Sequence, residues 1–434
     1  MSQEAPPALL IMTSLKMIIR HLRMVEYADE LGLTPIMVFG GTGELGQLRR
    51  LMADPDHPLC RLGALWPVAG PSVDSVIAGV RRHAGRYDIR GVISCGEYYV
   101  EPAAALAQLL GLPGTGWPAA TISRNKLLQR FVLPEYAPRW WVLDPASRSD
   151  AGELESRLHH EIEGSLVIKP TRRMSSSGVC ELPSAAGLAA VLDSYPADET
   201  LLVEQRVIGP EFSVETLVQH GSPLWSGVTG KQTNEGAGGF VETAHTVPAA
   251  GLSAAQLAEL NRANTEVLAR LDLRDGVAHA EFRLTEHGPV LMEVALRVPG
   301  GGISVLWGLA TGSSMEERLV ELAIGRPVRY PAPRRQARHL FLDNPTGRLA
   351  DVRSEFAPVS WTVRELRWPE LPPASAERPA QSRAVLVSKL AGDELGPLVD
   401  GDARAVSLIV DAPLGADLER EVSRAHAGID IVVQ

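Results

Sequence analysis

At ~100–200 residues per domain, a chain of 434 residues that is 45% hydrophobic and 22% charged can supply two to four cores of ordinary size. Its formal net charge is −10 and it has no lysine or arginine run, which argues against a nucleic-acid surface. No apolar run reaches the roughly 18 residues of a membrane span, and Lys16 and Arg20 interrupt the short apolar stretch at residues 9–12 too soon for a signal peptide.

In chain order, residues 9–12 form a short buried strand, 16–31 a helix stopped by Gly32, and 35–39 a second strand. Residues 91–95 (GVISC) form a third strand, followed by a helix over 101–110 and its stop at Gly111. Strands alternating with helices predict a parallel sheet, an α/β domain over residues 1–120. The character then changes. Strands are expected at 165–169, 200–204, 212–219, 276–284 and 289–294, with helices at 185–194, 254–271 and 314–324. This mixture predicts an α+β domain over residues 121–335. Two proline-rich stretches follow, 325–335 (GRPVRYPAPRR) as a linker and 369–379 (PELPPASAERP) as a surface loop. Short strands, including 405–410 and 429–433, make residues 336–434 a C-terminal α+β domain. The three cysteines, Cys60, Cys95 and Cys180, fit neither a metal spacing nor a disulfide framework and read as buried thiols of a reducing cytosol.

Three motifs are set aside. Gly41 to Gly46 fits G-x-G-x-x-G, but it follows the second strand and no acidic residue lies about 20 positions on, so it reads as a turn before a helix. Gly230-Lys231 ends no phosphate loop, because Trp225 stands where glycine is required and Gln232 where serine or threonine is. His159-His160-Glu161 lacks the second histidine of a zinc helix.

What remains suits phosphoryl transfer, which needs cations on phosphates, a mobile loop over them and hard carboxylates for a divalent ion. Lys126 opens the helix of NKLLQRFVL; alone, it also reads as a solvated lysine. Lys169 closes an apolar strand ahead of TRRMSSSGV. The backbone amides and hydroxyls of Ser175, Ser176 and Ser177 in that loop suit phosphate oxygens, although an ordinary hairpin loop has the same composition. In VEQRVIGPEFSVE, the backbone at Glu204-Gln205-Arg206-Val207 can pair with adenine. Glu204 would lie near its amino group and Glu211 at the ribose, but two solvated glutamates on a hairpin would look alike. The sharpest signal is HAEFRLTEHGPVLMEVALRVPGGG. Glu281 and Glu293 lie on adjacent strands, and like charges among apolar residues are costly unless a cation bridges them. Magnesium suits such a pair. The alternative is that they pair with Arg283 and Arg297. Arg297, beside the glycine triplet, can hold a carboxylate bidentately and neutralise developing charge.

This order of residues, over about 90–330, resembles the ATP-grasp superfamily. EYYVEPAAALAQLLGLPG narrows the resemblance to bacilysin-synthetase-like L-amino acid ligases. It implies an N-terminal pre-grasp domain, a two-part ATP-grasp domain and a lid-like C-terminal domain. Lys126 and Lys169 would hold phosphates; Glu204, Val207 and Glu211 the nucleoside; Glu281 and Glu293 magnesium, or manganese. Arg297 would position the substrate carboxylate. In FVETAH, Glu242 would face a substrate amino group and His245 the phosphates. Many ATP-grasp enzymes carry asparagine where Ala295 stands here, which leaves the number of magnesium ions open. Residues 227–239 would form a lid over the substrate, with Lys231 as a phosphate contact.

The resemblance thus implies a cytoplasmic, homodimeric ligase that joins an amino-acid-like carboxylate to an amine in secondary metabolism, giving ADP and phosphate. The competing readings are a glycinamide-ribonucleotide-synthetase-like or biotin-carboxylase-like ligase, and an ATP-binding protein without turnover.

Overall fold

The structure is a computed structural model and describes residues 5–41, 43–83, 85–162, 164–235 and 239–434. The N-terminal sheet is all-parallel, in the order Ala64–Val68, Thr34–Gly40, Pro7–Met12, Asp88–Ser94. LLIM and PIMVF lie fully buried in it, as strands covered on both faces must. The strand Ala64–Val68 escapes a pattern reading because ALWPV is short and carries a proline, which an edge strand tolerates. The single helix expected over 16–31 is two, Leu15–Ile18 and Arg23–Glu30. The chain turns between them where buried His21 meets Glu316 at 3.1 Å. Gly41 has a φ of +80° ahead of the helix Leu45–Met52; Thr42 lies outside the described residues.

The middle of the chain holds two antiparallel arrays. One is a four-stranded sheet in the order Trp140–Leu143, Leu201–Gln205, Leu166–Pro170, Cys180–Leu182. The other belongs to a nine-stranded sheet that begins Gly288–Ala295, Gly276–Thr285, Glu211–Gln219, Ser222–Thr233, Glu242–Val247. It continues through Arg335–Phe341, Val406–Pro413, Gln381–Val387 and Val359–Trp361, so it crosses the boundary expected at residue 335. Residues 325–335 are anchored at buried Val328, Tyr330 and Arg335, with most of the residues between them exposed.

The lid expected at 227–239 is corrected over its first half. Gly227 and Lys231 lie inside the strand Ser222–Thr233, while residues 236–238 fall outside the described residues. The glycine that suggested a mobile loop serves close packing: a Cβ on Gly227 would stand 2.5 Å from the Trp307 ring. The helix expected at 185–194 shortens to Leu188–Leu192, which starts at Gly187 with a φ of +91°.

The proline-rich loop 369–379 is strapped from beneath. Arg335, 1% exposed, pairs with Asp411 at 2.9 Å and donates to the carbonyls of Ser375 and Arg378 at 2.9 and 2.6 Å. One apolar core runs through all three regions, joining Leu9 and Ile11 to Leu217, Trp307, Leu386 and Ile409. Of the cysteines, only Cys95 is buried; Cys60 and Cys180 are partly exposed. Among the described residues, no helix is long and apolar enough to cross a membrane.

Candidate active site

The helix Lys126–Val132 starts at Asn125, whose side chain accepts from the Leu127 N–H at 3.0 Å. The buried Gln129 amide then imitates a neighbouring strand. It donates to the Val294 carbonyl at 3.1 Å and accepts from the Val294 N–H at 2.9 Å. Gly288–Ala295 is the edge of its sheet, so this pairing satisfies backbone groups that would otherwise be open. It also sets Lys126 against Glu293, at 2.9 Å.

Glu293 and Glu281 are direct cross-strand partners, with a register shift just after Glu281. Such partners put Cβ atoms about 5 Å apart on one face. Neither makes an ion pair with Arg283 or Arg297; the partners are lysines instead, Lys126 for Glu293 and Lys231 for Glu281. Glu281 meets Lys231 at 2.6 Å and His279 at 3.1 Å. Arg283 pairs with Glu211 and Glu235, and its donation to the Val207 carbonyl measures 2.7 Å. Arg297 pairs with Glu97.

Lys231 is the hub. Its ammonium lies 2.6 Å from Glu242, 2.6 Å from Glu281 and 3.0 Å from Glu211, with the side chain 1% exposed. Burial opposes its charge, but the three carboxylates hold its pKa well above the lysine range. Burial likewise opposes ionisation of Glu281, yet Lys231 and His279 keep its carboxyl far below the usual range. Behind Glu281, His279 bonds to buried Glu215 at 2.8 Å, which accepts from Ser213 at 2.7 Å and from Trp307. Burial would lower the His279 pKa, but the bonds to Glu215 and Glu281 push it up to about 9.

Next to this group, Glu204 is 3% exposed. Its carboxylate, expected beside an adenine amino group, instead bridges Arg130 at 2.7 Å and Lys169 at 2.6 Å. It faces inward because its strand turns that side chain toward buried Arg130, which also donates to the Met292 carbonyl at 2.7 Å. Lys169 therefore points at Glu204, and burial, with Arg130 adding, brings its pKa down to about 8 against the pull of Glu204. Gln205 pairs with Leu166 across the sheet. Among the described residues the Val207 N–H has no hydrogen-bond partner, so this backbone donor can still meet a ligand.

Ser175 and Ser176 sit at φ values of +57° and +58°, a left-handed pair that costs non-glycine residues energy and gathers at ligand loops. The Ser176 hydroxyl donates to the Phe240 carbonyl at 3.0 Å, and the Ser177 N–H closes a turn on Met174 at 3.1 Å.

At the far end, Glu97 lies between Arg297 and Arg124, the latter at 2.5 Å. Burial opposes its ionisation, but the two guanidiniums pull its pKa down to about 2. An apolar cleft bounded by Val92, Ala104, Val277 and Leu322 opens beside Arg297. His245 is 1% exposed and its Nδ1 meets the Gly301 carbonyl at 3.1 Å. Gly301 has to be glycine, because at a φ of +59° a Cβ would fall 2.3 Å from the His245 ring.

The structure thus joins Lys126, Glu293, Glu281, Lys231, Glu242, Glu211 and His245 in one largely buried charged cluster, with Lys169 and Glu204 beside it. The sequence reading missed Glu97, Arg130 and His279 as members of this group. Glu97 sat in view within EYYVEP, but its two arginine partners come from distant segments. No group of three or more histidine, cysteine or acidic side chains poised around a metal ion occurs among the described residues. Glu281 and Glu293 still offer hard oxygen donors side by side, and each is already neutralised by a lysine. That donor set fits magnesium bound jointly with phosphate oxygens.

Residues 162–305 match the model of the ATP-grasp domain. An uncharacterized protein (y4rH) of Sinorhizobium fredii is 28% identical over 288 residues, 63% of this chain and 58% of that protein. A D-alanine–D-alanine ligase of Pseudomonas putida is 35% identical over 118 residues, 26% of this chain and 35% of that protein. The chain therefore spans a third to three-fifths of these curated relatives. The solved structure of an L-amino acid ligase from Bacillus licheniformis superposes along 100% of both chains, with a TM-score of 0.72 and 18% identity. Residues 162–305 are thus an ATP-grasp domain, in a chain that carries the ATP-grasp fold throughout its length.

Proposed function

We propose that the chain is an ADP-forming carboxylate–amine ligase that activates an amino acid, or an amino-acid-like acid, and joins it to an amine in secondary metabolism. The observation that carries this reading is the in-register pair Glu281 and Glu293, each capped by a lysine inside an ATP-grasp domain. In the proposed reaction a carboxylate oxygen of the acid attacks the γ-phosphorus of ATP and ADP leaves. The amine nitrogen then attacks the acyl carbon, loses a proton, and phosphate departs with one oxygen of the acid.

Lys126, Lys169, the Ser175 and Ser176 amides and the Ser177 hydroxyl would hold phosphate oxygens, so that positioning and charge stabilisation lower the barrier. Glu204 would act on the nucleotide through Lys169, orienting its ammonium. The Val207 N–H would meet the adenine, with Gln205 beside it, and Glu211 the ribose. Glu281 and Glu293 would hold magnesium, or manganese, which supplies neutralisation of phosphate charge. Arg297, steadied by Glu97, would orient the acid whose side chain enters the apolar cleft. Glu242 would receive a substrate amino group and His245 the transferring phosphoryl. The enzyme would work as a cytoplasmic homodimer.

The test is to incubate the protein with magnesium, ATP and a panel of amino acids, and to identify the nucleotide product. ADP and phosphate that appear only with a productive pair support the reading. AMP and pyrophosphate would sink it, and an absolute need for bicarbonate would move the chain to the carboxylase-like branch.

A further inference from the structure

The C-terminal region reaches the charged cluster. The Gly401 N–H meets the Ser175 carbonyl at 3.4 Å, and the Leu398 carbonyl accepts from Asn234 at 3.0 Å. The Ala403 carbonyl accepts from Asn344 at 2.7 Å, which fixes the segment from its other side. This brings Arg404 onto Glu242, at 2.8 Å to both the carboxylate and the carbonyl.

The Arg404 guanidinium lies 4.0 Å from the Phe341 ring, and Phe341 lies 4.3 Å from the His339 ring. On the other side of His339, Trp368 stands edge-on at 6.0 Å, with the Arg20 guanidinium 5.7 Å above it. Two guanidiniums, one from each end of the chain, therefore flank a floor of aromatic rings next to the glycine triplet. His339 itself is engaged, with Gly301 at 2.8 Å and Ser407 at 2.8 Å.

The positive charge here exceeds what the protein answers. Arg20 makes no side-chain hydrogen bond among the described residues. The nearby Asp402 is committed to Lys16 at 2.8 Å, and Glu242 is shared with Lys231. Burial is the main influence lowering the Arg20 pKa, with Asp402 opposing it and Arg404 adding to it. One buried nitrogen beside Glu242, Nε of Arg404, also lacks a hydrogen bond, whereas Nε2 of His245 faces the Glu242 carboxylate at 3.5 Å. Buried polar atoms are nearly always paired, so this open guanidinium nitrogen, with the unbonded Arg20 guanidinium across the rings, marks where a ligand completes the structure.

We infer that Arg404 and Arg20 form a carboxylate-binding subsite for the acid group of the amine substrate, which makes that amine an amino acid. Guanidinium donors match a carboxylate in geometry and charge, and the aromatic floor shields the pair from water. Glu242, beside the same arginine, is then placed for the ammonium end of the same molecule. The inference rests on the ligase reading for the identity of the bound molecule, whereas the subsite itself rests on this geometry.

The experiment is calorimetric titration with L-amino acids and their α-carboxamides, with a non-hydrolysable ATP analogue present. Wild type is expected to bind at least one amino acid about tenfold or more tightly than its carboxamide, a difference of about 1.4 kcal/mol. Arg20→Met and Arg404→Met should each erase that preference and leave affinity for the ATP analogue unchanged. Arg20→Lys and Arg404→Lys keep the charge and should retain part of it, which decides the matter if a methionine variant fails to fold. Absence of the preference in wild type, or its survival in the methionine variants, overturns the subsite. So does a loss of nucleotide affinity in its place, which would assign these arginines to phosphate. A preserved preference with no ADP formed from any substrate pair would sink the ligase reading and leave the subsite standing.

Discussion

Lys231→Met removes the hub of the charged cluster at nearly constant volume. The lysine touches Glu242 and Glu281 at 2.6 Å and Glu211 at 3.0 Å. At an effective dielectric of about 20, each contact is worth about 6 kcal/mol of gross attraction. Desolvation of four ions and repulsion among the carboxylates offset most of this. The net cost of removing one partner of a buried ionic group is about 3–5 kcal/mol. Part of the loss is softened because His279, Arg283 and Arg404 still hold the three carboxylates. Thermal unfolding in chelator and in magnesium is the assay. The variant should melt well below wild type in chelator. Magnesium, no longer competing with the ammonium, should raise its midpoint more than that of wild type. An unchanged midpoint in chelator, or equal magnesium shifts in both proteins, would refute the hub.

Three further outcomes follow from the geometry. The Glu97 carboxyl, held near pH 2 against an ordinary 4.5, contributes stability that is fully present above about pH 4.5 and is lost as pH falls toward 2. That contribution is at most about 3 kcal/mol; Glu97→Gln should flatten this acid limb in a pH series of unfolding midpoints. Gly301→Ala pushes a methyl onto His245 and should cut turnover about 100-fold, with nucleotide affinity kept, as steady-state kinetics and calorimetry would show together. Arg130→Met leaves Glu204 with Lys169 alone and frees the Met292 carbonyl, so it should cost about 3–5 kcal/mol in denaturant unfolding and weaken ATP binding.

The parts of this molecule legible in its sequence are those written locally. Glu281 and Glu293 sit on strands joined by a tight turn, so a short stretch fixes their pairing. Asn125 announces the helix that carries Lys126, and the apolar runs of the N-terminal sheet leave little choice of structure. Contacts made by distant segments were not legible. Arg297 finds Glu97, 200 residues away, and Arg404 finds Glu242, 162 residues away. The glycines around Lys231 suggest a lid; only the Trp307 ring, packed against Gly227, shows why a strand needs a glycine at that position. The sequence places Glu204 near an adenine amino group, because nothing local says that Arg130 and Lys169 wait beside it.

The most direct test of the central claim follows the oxygen. An amino acid substrate labelled with 18O in its carboxylate is supplied with magnesium-ATP and an acceptor amino acid, and the released phosphate is analysed by mass spectrometry. One labelled oxygen should appear in phosphate for each ADP formed, and Glu281→Gln with Glu293→Gln should abolish the transfer. Unlabelled phosphate, or AMP and pyrophosphate as products, would contradict activation of a carboxylate by this site.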